Sequence, residues 1–312
     1  MKPALRRAGW VIGALATLAS VAYIVHSWRG QDLSAFASGR AAAAVAVCTG
    51  FYLVGVIATA WAWKRLLADL DVHMPWRALA SILAVTQVGK YLPGNVAQHV
   101  GRASLSLDRG IAPVAFAVTL ASEMLLLMLA SVLVGVSALL VSGRSLALLP
   151  GGRGESIVLV GALVALAIAG LVLGSRLAPR LLARFAPTLA QRIGPARMPS
   201  LPALGAAVAI YCLVYLVFGA GIVLMAGLLL PSVAPDAWLL VAAFALAWII
   251  GFVTPGAPAG LGVREGVMLL LLGTHYPPSA AGAIVVGLRL ATTLGDILLF
   301  PLGLLLARKS PA

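Results

Sequence analysis

The sequence predicts an all-α, polytopic membrane protein: a helix bundle of about six full spans plus two helical hairpins broken by Pro-Gly. Three observations carry that prediction. First, 62% of the 312 residues are hydrophobic and only 10% charged, against about 45–50% and 25% in soluble domains. With a mean hydropathy of +1.06, the chain has more apolar surface than a soluble fold of this size can hide, so lipid must solvate most of it. Second, the apolar residues gather in runs of about 20, the length that crosses a bilayer as a helix. Third, two otherwise apolar segments are interrupted by Pro-Gly and carry charge.

Taken in order, full spans are expected at 8–26, 41–63, 113–141, 156–174, 203–230 and 280–306. The first follows Lys2, Arg6 and Arg7, and its Ser20-Val21-Ala22 looks like a signal-peptide cleavage site. Its apolar run continues to Val25 and five more spans follow, so it reads as a retained anchor. The breaks stand at Tyr91-Leu92-Pro93-Gly94 in segment 76–107 and at Val253-Thr254-Pro255-Gly256 in segment 238–273. Proline removes a backbone donor and glycine loosens the chain, so each helix must stop there. Shorter, more polar helices are expected to resume at 95–107 and 261–272. Irregular backbone at membrane depth persists only where protein or a wet cavity supplies partners. Both segments are therefore expected to be re-entrant hairpins, or pairs of broken spans, facing the protein interior.

The two segments also resemble one another. At an offset of 162, Trp76, Gly89, Pro93, Gly94, Ala97 and Arg102 meet Trp238, Gly251, Pro255, Gly256, Ala259 and Arg264. Three spans lie between them, and an odd number brings the second segment in from the opposite face. That is an inverted-topology repeat, an architecture common among transporters.

Loop charges orient the molecule. With the N-terminus cytoplasmic, fourteen Lys and Arg residues fall in inside loops and four outside, a positive-inside bias. Both termini are accordingly expected on the cytoplasmic side of the inner (plasma) membrane, with residues 1–312 forming one transmembrane domain. The Arg-rich loop 175–202 places Arg176, Arg180 and Arg184 at four-residue steps beside Leu177, Leu181 and Phe185, the pattern of an interfacial helix on anionic lipid. The net charge of +13 is read the same way, and no nucleic-acid partner is expected.

The remaining four cations, Lys90, Arg102, Arg264 and Arg289, fall inside membrane segments, where a charge costs about 2.5–3.5 kcal/mol on insertion scales. The run from Gln87 to Arg102 concentrates Lys90, Asn95, Gln98, His99 and Arg102. Asn95 stands where a helix N-cap belongs, and Asn95, Gln98 and Arg102 share one helical face. Such a run implies a hydrated pocket for a phosphate or carboxylate, or else cations snorkelling to lipid phosphates. Near the second break, Pro255 to Gly266 is Gly/Pro-rich and carries Arg264-Glu265, with no P-loop or dinucleotide pattern. Glu123, Arg289 and Asp296 lie in full spans, and such residues usually pair inside the bundle or mark an ion path. Glu123, Glu265 and Asp296 can balance three of the four cations, which leaves one positive charge for an anionic ligand. The candidate head-group binders are therefore Lys90, Asn95, Gln98, Arg102 and Arg264, with Glu123, Glu265, Arg289 and Asp296 as a charge network.

Catalysis finds little support. Cys48 and Cys212 are isolated in apolar runs, the four histidines are scattered, and no nucleophile–base pattern is present. No catalytic residue, metal or cofactor is assigned, and the protein is not expected to be an enzyme.

At Gly89-Lys90-Tyr91-Leu92-Pro93-Gly94-Asn95 and Gly260-Leu261-Gly262-Val263-Arg264-Glu265-Gly266 the chain resembles the flippase-like transmembrane region of lysylphosphatidylglycerol synthases, over nearly its whole length. That resemblance implies an inner-membrane protein that moves a lipid or a lipid-linked intermediate between leaflets. Ala97 stands where many relatives carry an aromatic residue and Ala259 where they often carry glycine, so local packing is expected to differ there. The soluble aminoacyl-transferase domain of the full-length synthases is not expected in this chain, and lysyl transfer is not carried over. The expected function is thus a lipid or lipid-linked-intermediate translocase whose partners are membrane lipids, an anionic phospholipid or a polyprenyl-phosphate-linked substrate. The alternatives are a non-transporting scaffold for an envelope lipid or glycan enzyme, docked through the Arg-rich loop, and an embedded glycosyl or aminoacyl transferase.

Overall fold

The structure is a computed structural model that describes residues 36, 38–91, 96–143, 197–254 and 262–308. Spans 8–26 and 156–174, the Arg-rich loop through residue 196, Asn95 and both Pro-Gly pairs lie outside the described residues. Within them the chain forms α1 (Gly39–Ala68) and α2 (Trp76–Thr86), which tightens into a 3₁₀ turn (Gln87–Tyr91). Next come α3 (Val96–Leu107), α4 (Pro113–Val141), α5 (Leu201–Leu229), α6 (Ala237–Val253), α7 (Val263–Leu272) and α8 (Pro278–Arg308). Helices α1, α4, α5 and α8 are long and apolar enough to cross a membrane, and they fall on the expected spans 41–63, 113–141, 203–230 and 280–306.

Local chemistry explains the helix starts. Ser38, Ser200 and Asp236 accept hydrogen bonds from the N–H groups of Ala41, Ala203 and Leu239, capping α1, α5 and α6. Pro113 opens α4 at a position whose N–H would be unpaired in any case. Gly262 turns the chain into α7 at φ +80, and its N–H donates to Glu265 Oε2 at 2.7 Å. Glu265 at the third position of the helix is thereby held in a capping arrangement.

Helices α1 and α5 form the central pair, and they run antiparallel. Just past the end of α1, Asp69 accepts hydrogen bonds from the N–H (2.6 Å) and hydroxyl (2.7 Å) of Ser200 at the start of α5. Those two donors hold the Asp69 carboxyl below its ordinary range. Deeper in, Gly55 faces Val214, and Gly221 faces Phe51. The buried core of this layer includes Cys48, Tyr211, Phe218 and Ile222, while Leu213, Leu216 and Leu224 on the same helix stay exposed. A helix that is apolar on every side suits lipid on its outer face.

The other elements repeat one packing pattern. In the first half, α2 lies on α1 and on α8; in the second, α6 lies on α5 and on α4. Each half lends its last long helix to the broken element of the other. Helices α2 and α3 pack on one another, as do α6 and α7. A glycine permits each close approach. A Cβ on Gly89 would lie 2.8 Å from the backbone of Gln98, and one on Gly251 would lie 2.5 Å from Arg264 Cγ. These are the matched glycines of the 162-residue offset.

Candidate functional site

Residues of both broken segments line one cavity of about 240 Å³, just below the roughly 300–1,000 Å³ typical of small-molecule sites. Its wall takes Lys90, Gln98 and Arg102 from the first broken segment, Arg264 from the second, Glu123 from α4 and Arg289 from α8. All four cations expected inside the membrane therefore converge, although they come from four separate elements. Facing them is an aromatic wall. The rings of Phe218 and Phe244 meet edge to face at 4.6 Å, Tyr215 packs edge-on to Trp248 at 5.8 Å, and Trp248 stacks on Phe252 at 5.1 Å.

Three of the four cations have carboxylate partners. Lys90 Nζ lies 2.9 and 2.8 Å from the two oxygens of Asp296, a residue only 1% exposed. The hydroxyls of Tyr52 and Tyr91 each donate to Asp296 at 2.5 Å, one to each oxygen, and Lys90 also donates to the Tyr52 oxygen at 3.0 Å. This clamp ties α1, the 3₁₀ turn and α8 together. Arg102 grips Glu123 with both terminal nitrogens, one bond at 2.8 Å and the other, to Glu123 Oε2, shorter still. Arg102 and Glu123 are 2% and 4% exposed, and the guanidinium stacks 3.9 Å above the Trp63 ring. The third pair is looser: Arg289 Nε meets Glu265 Oε1 at 3.3 Å, with side chains 15% and 26% exposed.

Arg264 differs from the other three. Among the described residues it has no carboxylate partner, and its buried Nε has no hydrogen bond. It sits 5.7 Å from the centre of the Trp248 ring and borders the cavity. Buried and without a hydrogen-bond partner among the described residues too are Nε of Arg102, Nη2 of Arg289 and Nδ1 of His99, all on residues of the cavity wall. Gln98 donates to Gln87 at 2.9 Å within the first broken segment. Arg289 and Asp296 share a helical face two turns apart, yet they serve different partners, Glu265 and Lys90. Chemically the site joins a cationic corner with spare donors to an aromatic floor, an arrangement that can bind an anion bearing apolar or ring-shaped substituents.

Sequence reasoning did not single out Tyr52, Tyr91, Trp63 or the aromatic wall. A tyrosine inside an apolar span was the available signal, since a buried hydroxyl needs a partner; Tyr52, near the middle of α1, is such a residue.

Residues 5–299 match the family described as the lysylphosphatidylglycerol synthase TM region. No curated protein matches the chain.

Proposed function

Because the chain belongs to the lysylphosphatidylglycerol synthase TM-region family, we propose that it is a translocase for a lipid or lipid-linked intermediate and that it binds an anionic head group in the cavity between its two hairpins. The observation that carries this reading is the convergence there of four intramembrane cations on three carboxylates, with Arg264 left over. Buried cations are costly unless something neutralises them, and an anionic head group would neutralise the fourth. The cavity has room for a head group but not for acyl or polyprenyl chains, which would extend into lipid. Lys90 and Arg102 contribute chiefly through the field of their tight pairs, Gln98 and Asn95 would add neutral hydrogen bonds, and Arg264 would make the direct ionic contact.

In this reading the halves α1–α4 and α5–α8 form an inverted repeat. The antiparallel run of α1 and α5, which open the two halves, and the exchanged packing of α4 and α8 support it. The hairpins would then enter from opposite faces, and re-sorting of the Arg289–Glu265 pair would accompany exposure of the site to alternate leaflets. The protein would perform no covalent chemistry of its own, and it would sit in the inner membrane with both termini cytoplasmic.

A head-group flip assay in liposomes tests the translocase reading. Wild-type protein should accelerate exchange of an anionic fluorescent lipid, and Arg264→Ala should reduce the rate at least tenfold. Arg102→Ala should do so as well, with a melting measurement to separate lost fold from lost site. Wild-type transport by both variants would remove the proposed site.

A further inference from the structure

Arg264 and Arg289 stand on different helices, α7 and α8, yet line the same two hollows. One is the large cavity; the other, of about 40 Å³ beside it, also takes Glu265 and Trp248 into its wall. Each arginine keeps a buried nitrogen with no hydrogen-bond partner among the described residues, Nε in Arg264 and Nη2 in Arg289. Against these two guanidinium groups stands one carboxylate. Glu265 reaches Arg289 with a single oxygen at 3.3 Å, while its other oxygen accepts the Gly262 N–H at 2.7 Å. The contrast with Arg102, which holds both oxygens of Glu123, marks the Glu265 contact as the replaceable one. A guanidinium fork matches two oxygens of a carboxylate or a phosphate, and two forks on different helices can divide the oxygens of one phosphate.

We infer that Arg264 and Arg289 form a two-arginine subsite for a phosphodiester monoanion, and that Glu265 is an internal competitor which the incoming phosphate displaces from Arg289. The inference rests on the reading of the cavity as an anionic head-group site, and adds the charge class of the ligand and the residue that competes with it. The charge class follows from the wall: Lys90 and Arg102 are already matched by Asp296 and Glu123, and Glu265 neutralises one of the remaining two cations. One positive charge is left, which a singly charged phosphodiester cancels, whereas a zwitterion brings a cation of its own. Displaced Glu265 is not stranded. Its Gly262 contact keeps it at the N-terminus of α7, where the helix dipole favours a carboxylate.

The test uses the full chain in detergent, with native mass spectrometry following titration by phosphatidylglycerol, a phosphodiester monoanion, or by phosphatidylcholine, a zwitterion. Wild-type protein should hold phosphatidylglycerol at least tenfold more tightly than phosphatidylcholine. Arg264→Gln and Arg289→Gln should each lose about tenfold for phosphatidylglycerol. Glu265→Gln should gain several-fold, because the amide oxygen still accepts the Gly262 N–H while its attraction for Arg289 is gone; a misfolded variant could not show that gain. Displacement of the lipid by millimolar inorganic phosphate would support a subsite that reads phosphate alone, and its failure would support one that reads phosphate within a lipid. Unchanged lipid affinity in Arg264→Gln, or no gain in Glu265→Gln, would overturn the inference and leave the head-group reading standing. Absence of any preference for phosphatidylglycerol in the wild type would overturn the head-group reading beneath it.

Discussion

Glu123 and Asp296 are each held by a cation that the chain brings from elsewhere. Asp296 meets Lys90 from 206 residues away, and Glu123 meets Arg102 across the turn from α3 to α4. Removing one member of a buried pair leaves the other charge uncompensated, at a cost of about 3–5 kcal/mol, whereas removing both costs less than the sum. Glu123→Gln should therefore lower the unfolding free energy measured in a mixed-micelle SDS titration by an amount in that range. Arg102→Gln combined with Glu123→Gln should recover part of the loss. A single-variant cost below about 1 kcal/mol would mean that the pair is as weak as a surface one. Counting charges in the sequence shows that three pairs are available and one cation is spare, because intramembrane charge is rare enough to be counted. Which acid meets which base is not legible there. The pairing depends on tertiary packing, and the Asp296 clamp depends on Tyr52 and Tyr91, which a hydropathy profile treats as ordinary filler of an apolar run.

Packing within the two broken segments gives the element scale its own test, since the two matched glycines fail in different ways. A methyl group at Gly89 would press on the backbone of Gln98, which cannot yield without moving α3, while one at Gly251 would press on the aliphatic stem of Arg264, which can rotate. Gly89→Ala should therefore lower the melting temperature and the yield of folded protein. Gly251→Ala should stay folded, as judged by size-exclusion chromatography and melting, but lose several-fold in phosphatidylglycerol affinity because the guanidinium is displaced. Equal effects of the two substitutions on stability would contradict this division. The breaks themselves were legible, because Pro-Gly in an apolar run has few meanings. So were the four described spans, which depend only on length and hydropathy. The tightening of α2 into a 3₁₀ turn at Gln87 was not, since nothing in the local sequence before Pro93 demands it.

On the scale of the whole molecule, the two halves exchange their last long helices, α8 packing on α2 and α4 on α6, around the antiparallel pair of α1 and α5. The proposed inverted repeat requires the two halves to present equivalent turns on opposite membrane faces. The turn from α1 to α2 contains exposed Asp71, and the equivalent turn from α5 to α6 contains exposed Ser232. Cysteine accessibility decides the matter once Cys48 and Cys212 are replaced by alanine. In intact cells a membrane-impermeant thiol reagent should modify Ser232→Cys, and it should reach Asp71→Cys only after permeabilisation, as expected if the positive-inside bias puts Lys64 and Arg65 on the cytoplasmic side. Labelling of both positions from the same side would break the inverted repeat. Alternating access to a shared cavity would then lose its structural basis, because hairpins entering from one face cannot open it to each leaflet in turn.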